Sequence, residues 1–279
     1  MKKITFCKYH ALLNDFIVVE SQQKLTRSNL SKLALSICNR RSGVGADGIL
    51  YLTASKKADY KFQIINSDGS FAEKSGNGLR IAGMHMYLQD KRKKSFKFDT
   101  GYGIDKVTIG RKTKKGIMLT AELGQPSFLT KDIPMRSKLK YMINSPLKIK
   151  GLDFPVTCLS VGNPHAVLFV ENFDFEWKTL GQEIENHRAF PERTNVEFVK
   201  PVNRKKIKVA DWERGAGATG SSGTGAAASV AASVTMGIAD RKCEVQFTNG
   251  SLFVSWNEKT NIIEVTGEVQ KIASGEYNI

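Results

Sequence analysis

The sequence predicts a mixed α/β protein made of two related halves, each wrapping strands around a central helix. Three observations carry this prediction. Short β-type runs rich in Ile, Val, Phe and Tyr dominate the chain. Only four segments carry a helical pattern, and one of them, 223–236, is alanine-rich and apolar on nearly every side, as a helix enclosed by other structure must be. A Ser-Gly-X-Gly tetrapeptide occurs twice, as Ser75-Gly76-Asn77-Gly78 and as Ser222-Gly223-Thr224-Gly225, and each copy leads into one of the four helices.

In chain order, strands are expected at 3–8 and 15–20, followed by a helix at 29–39 with Leu30, Leu33, Ala34 and Ile37 on one face. Strands at 48–53 and 60–66 precede the helix at 77–89, which holds Leu79, Ile81, Ala82, Met86 and Leu88. Strands follow at 94–99, 104–110, 116–122, 154–161 and 165–170. A weaker helical pattern covers 176–186. Strands at 194–199 and 205–212 lead to the helix at 223–236, and strands at 242–248, 251–256 and 261–267 complete the set. Asn249-Gly250 is a good two-residue hairpin turn between two of these strands.

The internal echo extends beyond the tetrapeptides. Each follows a strand-like segment and a polar loop, Asn66-Ser67-Asp68-Gly69 in one case and Glu213-Arg214-Gly215-Ala216-Gly217 in the other. A helix N-terminus after glycines presents free backbone N–H groups and partial positive charge, which suits a carboxylate or phosphate. The same residues also serve as tight turns with serine N-caps. The tetrapeptides alone leave both roles open.

At 279 residues the chain accommodates one large domain or two of medium size. No apolar run approaches the roughly 18 residues of a membrane span. The start, Met1-Lys2-Lys3-Ile4-Thr5-Phe6, turns polar at Lys8 without the apolar core of a secretion signal, so a cytoplasmic location away from membranes is expected. The net charge of +15 comes from lysine-rich runs such as Lys91-Arg92-Lys93-Lys94 and Arg204-Lys205-Lys206, which lack interleaved aromatics. They describe a lysine-rich surface, whose charge alone does not identify a ligand, and no nucleic-acid partner is expected. Cys7, Cys38, Cys158 and Cys243 form no CxxC pair, so neither a metal site nor a disulfide framework is expected. Cys7, Cys38 and Cys158 have apolar neighbours and are expected in the core.

Eight stretches together resemble one family, the diaminopimelate epimerases. They are Leu13-Asn14-Asp15-Phe16; Arg40-Arg41-Ser42-Gly43-Val44-Gly45-Ala46-Asp47-Gly48; Asn66-Ser67-Asp68-Gly69-Ser70; Glu73-Lys74-Ser75-Gly76-Asn77-Gly78-Leu79-Arg80; Gly162-Asn163-Pro164-His165; Arg193-Thr194-Asn195-Val196; Glu213-Arg214-Gly215-Ala216-Gly217-Ala218-Thr219; and Ser221-Ser222-Gly223-Thr224-Gly225-Ala226. They stand in family order across nearly the whole chain.

The resemblance implies an α/β (α+β) fold of two pseudo-symmetric domains, each a strand barrel around a central helix, with the active site in the cleft between them. It places the N-terminal half at 1–122 plus 268–279 and the C-terminal half at 123–267. It also implies a homodimer. The implied reaction interconverts LL- and meso-2,6-diaminopimelate, on the route to lysine and peptidoglycan precursors, without pyridoxal phosphate or any other cofactor and without a metal. A base on one face of the α-carbon removes the proton while an acid on the other returns one. Hydrogen bonds from helix N-termini to the carboxylate stabilise the carbanion. Carried over residue by residue, the resemblance gives Ser75 and Ser222 at the two acid–base positions, with His165 and Glu213 beside them. Asn14, Asn66, Asn163, Asn195 and Arg214 hold the distal amino-acid end, and Gly76, Asn77, Gly223 and Thr224 hold the reacting carboxylate.

The family motifs carry cysteine where Ser75 and Ser222 stand, and glutamate where Ala218 stands. A thiolate is accessible near neutral pH and an alkoxide is not. Three explanations remain open at this stage: replacement that traps substrate without turnover, a relative that binds but barely catalyses, or different chemistry with His165 as base. An isomerase of another amino acid is the further alternative.

Overall fold

The computed structural model describes residues 3–22 and 25–278. The chain divides into two compact units, Met1–Glu122 with Thr266–Ile279, and Leu123–Val265.

In the first unit, β1 (Lys3–Ala11), β2 (Asn14–Glu20), β3 (Gly48–Ala54), β4 (Tyr60–Asn66), β6 (Ser95–Asp99), β7 (Ile104–Lys112) and β8 (Ile117–Gly124) form a hydrogen-bonded path. A short β5 (Phe71–Ala72) pairs with β4 off that path. The last strand, β16 (Ile263–Asn278), joins β8 and pairs antiparallel with β1, from Lys3 opposite Asn278 to His10 opposite Gln270. This pairing closes an eight-stranded barrel, and closure removes both sheet edges. Helix α2 (Gly76–Gln89) lies against β1, β2, β3, β6 and β7, and every residue from Gly76 to Tyr87 is buried. Gly83 is needed there: a Cβ at this position would meet Val107 Cγ1 of β7 at 2.5 Å. Helix α1 (Arg27–Ile37), capped by Thr26, buries one face, Leu30, Leu33, Ala34 and Ile37, against Ile17, Ile49 and Ile65.

The second unit repeats the plan. The path runs from the start of β16 through β15 (Gly250–Trp256), β14 (Lys242–Phe247), β13 (Lys206–Trp212), β12 (Asn195–Asn203), β11 (Pro164–Phe169) and β10 (Leu152–Ser160) to β9 (Ser145–Ile149). Helix α4 (Gly223–Thr235) lies against β10 to β15 and is buried from Gly223 to Ser233. Helix α3 (Trp177–Glu185) packs on β12 and β13. The repeat is visible in the pairing. The parallel pair β2–β3 is bridged by α1 and the parallel pair β4–β6 by α2. In the same way β11–β12 is bridged by α3 and β13–β14 by α4. Each crossover needs a helix because parallel neighbours cannot be joined by a tight turn. The mixed α/β architecture is that expected from the sequence.

Some local expectations differ. The hairpin turn lies at Thr248–Asn249, and Gly250 already pairs with Phe247 as the first residue of β15. Asn249 is drawn back by bonds from its amide N–H to Gly220 O (3.2 Å) and from Nδ2 to Thr219 O (3.1 Å), which shifts the turn by one residue. Cys7 is only half-buried, although the β1–β2 register sets it opposite the buried Val18. Cys38, Cys158 and Cys243 are buried, and burial pushes their thiols up to about 12, 12 and 11 respectively, so none is a thiolate at neutral pH. Among the described residues no helix is long and apolar enough to cross a membrane.

Candidate active site

In the first unit, Ser75 has extended backbone and caps α2, its Oγ accepting from Gly78 N at 3.0 Å. Glycine suits position 78 because a Cβ there would lie 3.3 Å from the Ser75 side chain and 3.0 Å from Leu50. Asn77, in the first turn, is buried. Its Nδ2 donates to Asn14 Oδ1 at 3.2 Å, while its Oδ1 accepts from Arg80 Nη2 at 2.5 Å. Asn14 in turn donates to Asp47 Oδ2 at 2.8 Å. The loop carrying Asn14 is therefore tied both to α2 and to the glycine-rich 40–48 stretch.

A charge network stiffens that tie. Asp15 pairs with Lys8 (2.9 Å) and Arg40 (2.7 Å), and Arg40 also reaches Asp47 (2.7 Å). Burial opposes ionisation of Asp15, but the hydrogen bonds and charges of Arg40 and Lys8 outweigh it and hold the carboxyl below its ordinary value. Asn66 bonds within its own loop, its Nδ2 donating to Ser70 Oγ at 2.9 Å. Arg80 is completely buried. Its Nε and Nη1 have no hydrogen-bond partner among the described residues, and burial lowers its pKa to about 10, which leaves it charged at neutral pH.

In the second unit, Ser222 caps α4 in the same way, accepting from Gly225 N at 3.1 Å. A Cβ at Gly225 would meet Ser222 Cβ at 2.9 Å and Glu197 Oε1 at 3.0 Å, so glycine lets both approach the first turn. His165 is fully buried between two partners. Its Nε2 donates to Asn163 Oδ1 at 2.9 Å, an orientation fixed by the Asn163 amide giving its own proton to Thr224 Oγ1 at 3.3 Å. Its Nδ1 shares one proton with Glu197 Oε1 at 2.7 Å. Both ring nitrogens are thus engaged within the protein. Burial raises the Glu197 carboxyl, and the neighbouring His165 only partly offsets this.

Two more acids lie nearby. Asp211 stands opposite Glu197 in the β12–β13 register, and Glu213 follows two residues later on the same side of the chain. Thr219 Oγ1 contacts Asp211 Oδ2 at 2.6 Å and Glu213 Oε1 at 2.5 Å. A hydroxyl has one proton and can donate to only one of them, so the other acid supplies its own proton. Burial, reinforced by the Asp211 charge, pushes the Glu213 carboxyl up to about 8 even though part of the residue reaches the surface. Burial raises Asp211 to about 6. Glu213 also hydrogen-bonds Ser222. The arrangement stores a proton beside the N-terminus of α4.

Asn195 holds backbone on both sides: its Nδ2 donates to Pro164 O at 2.8 Å and its Oδ1 accepts from Arg214 N at 3.0 Å. Arg214 Nη1 reaches Glu192 O at 3.2 Å. Within the second unit, Asn163, His165, Glu213, Ser222 and Thr224 are linked around the start of α4, and Asn195 fixes the base of Arg214. Sequence reasoning gave no role to Arg80, Glu185, Glu197, Asp211 or Thr219. The spacing of Asp211 and Glu213 was the available signal, since alternation places both on one side of a strand.

A protein-family model described as diaminopimelate epimerase matches residues 6–129 and 157–272. A protein named diaminopimelate epimerase from Carboxydothermus hydrogenoformans is 41% identical over 276 residues, covering 98% of both chains. One of the same name from Acetivibrio thermocellus is 37% identical over 276 residues, again 98% of each. Among solved structures, a PhzF-family phenazine biosynthesis protein from Bacillus anthracis covers 100% of both chains at TM-score 0.67 and 18% identity, a likeness of fold.

Proposed function

Because this chain belongs to the diaminopimelate epimerase family, and is by that membership an isomerase, we propose that it acts on 2,6-diaminopimelate, interconverting the LL and meso forms by proton transfer at the α-carbon. The observation that supports this most is the repeated helix entry: Ser75 and Ser222 each open a buried helix whose first turn offers backbone N–H groups suited to a carboxylate. In the mechanism one of these groups removes the α-proton and the other returns one to the opposite face. Gly76, Asn77, Gly223 and Thr224 bind the reacting carboxylate. Asn14, Asn66, Asn163, Asn195 and Arg214 bind the distal amino-acid end, Arg214 through its bidentate fork. His165 and Glu213 govern protonation near Ser222. The proposal includes action as a cytoplasmic homodimer in lysine and peptidoglycan-precursor synthesis.

Serine sets the rate. Its pKa lies roughly 4–5 units above that of cysteine, so forming the anion costs about 5–7 kcal/mol more. That corresponds to roughly four to five decades in rate. Glu213, holding a proton at neutral pH, offsets little of this as a base for Ser222. On this reading the chain holds its substrate and turns it over slowly. The experiment is α-proton exchange of diaminopimelate in heavy water, with the chain as it stands and with Ser75→Cys and Ser222→Cys combined. Slow exchange that rises in the double variant supports the reading; binding without exchange that persists when Ala218→Glu is added to the double variant reduces the chain to a binding protein.

A further inference from the structure

Glu185 is the last residue of α3, where a negative charge opposes the helix dipole, and it is buried to 5% exposure. A carboxylate in that position needs strong donors, and it has three. Oε2 accepts from Trp212 Nε1 at 2.7 Å, and Oε1 accepts from Gly215 N at 2.8 Å and Arg193 Nη1 at 3.1 Å. Arg193 neutralises the charge. The other two donors belong to residues on either side of Glu213-Arg214. Helix α3 can lie this close because Gly181 faces Trp212, where a Cβ would come within 2.9 Å of the tryptophan Cβ.

The turn held in this way is tight. Gly217 N and Ala216 N donate to Glu213 O at 2.9 and 3.0 Å, with Gly215 and Gly217 at φ of 78° and 77°. Arg214 N is fixed by Asn195, and the next amide, Gly215 N, by Glu185. The backbone bearing Arg214 is thus clamped on both sides, by one strand residue and one helix residue.

We infer that Glu185 is a positioning residue for substrate selectivity: by clamping Trp212 and Gly215 it sets where the Arg214 guanidinium meets the distal carboxylate of the substrate. This rests on Arg214 being the distal-carboxylate ligand proposed above. Glu185 itself touches no substrate and carries no proton in the reaction.

The test compares two ligands by calorimetry, diaminopimelate and lysine, which is the same molecule without the distal carboxylate. Slow turnover in the Ser75/Ser222 chain allows equilibrium binding to be read directly. Glu185→Gln keeps the size of the side chain but removes its charge and one acceptor. It should weaken diaminopimelate by about tenfold, the scale of one charge-assisted hydrogen bond, and leave lysine unchanged. Trp212→Phe, which deletes only the Nε1 donor, should lower the same preference by a smaller factor and guards against misfolding of the first variant. Equal weakening of both ligands would make Glu185 merely structural and overturn the inference. So would an unchanged preference in both variants while Arg214→Lys abolishes it. An unchanged preference in Arg214→Lys would instead remove the underlying assignment of Arg214, and the inference with it.

Discussion

Ser75 and Ser222 occupy equivalent positions in the two units, each accepting the amide hydrogen of the residue three places on and so capping a buried helix. The hydroxyl proposed for the acid–base position is at the same time a structural group. A thiol is a poorer acceptor, so the residue that serves chemistry better serves the helix worse.

Replacing both serines with cysteine should accordingly move two measurements in opposite directions. α-Proton exchange should rise by several decades, because a thiolate is accessible at pH 7–8. Stability should fall by about 1 kcal/mol for each lost cap. Exchange in heavy water and urea unfolding read the two effects. Each single variant should remain poor in full epimerisation, since one face still lacks a competent group. If the double variant binds but stays silent in exchange, adding Ala218→Glu restores the remaining departure from the family motif; continued silence rules out two-base chemistry.

Arg214→Lys should weaken diaminopimelate binding by roughly 1–3 kcal/mol, because a bidentate fork becomes a point charge. Calorimetry measures this, and an unchanged affinity would mean that Arg214 is structural or that the ligand has no distal carboxylate.

Stability should fall as pH rises from about 5 to 8. Glu213 and Asp211 have folded-state pKa values of about 8 and 6, above those of exposed carboxyls, so in this window the folded state binds more protons than the unfolded one. The contribution is fully present below the unfolded value and is lost as pH passes the folded one. Glu213→Gln should flatten most of the slope in unfolding experiments across this range. A slope of the opposite sign would place ionised carboxylates in the Thr219 cluster.

Arg80→Met should change stability by no more than about 1 kcal/mol, or raise it, since a buried guanidinium with two nitrogens unpartnered among the described residues is replaced by apolar volume of similar length. Ligand affinity should nevertheless drop, because Asn77 Oδ1 loses the donor that orients it. A stability loss of roughly 3 kcal/mol or more would mean that the charge is compensated in the native state.

The strands and helices were legible because their alternation and apolar faces are strong, and the four expected helices occur within two residues of their observed ends. β9 was missed because Pro146 interrupts a five-residue run, a proline that a strand at the end of the path tolerates. β16 was cut short at 267 because Gly267, Ser274 and Gly275 interrupt its pattern, whereas its pairing with β1 is long-range and leaves no local mark. In the candidate site, the Ser-Gly-X-Gly entries and polar loops stood out as compact motifs. Glu185, Glu197 and Asp211 did not, because each is a single acid within an ordinary helix or strand pattern. Their importance comes from burial and from partners that only the fold supplies.

The crossing of β16 into the first unit reverses the order of manufacture. Lys3 to His10 leave the ribosome before any residue of the second unit, yet their partners Gln270 to Asn278 leave it after every one of them. At roughly 5–20 residues per second, the 143 residues from Leu123 to Val265 impose a delay of about 7–30 s. Throughout that interval β1 has an unpaired edge on its outer side, open to other nascent chains. The half of the protein that is made first is therefore the last to be finished, and conditions that slow or truncate translation should deplete it selectively through aggregation at that edge.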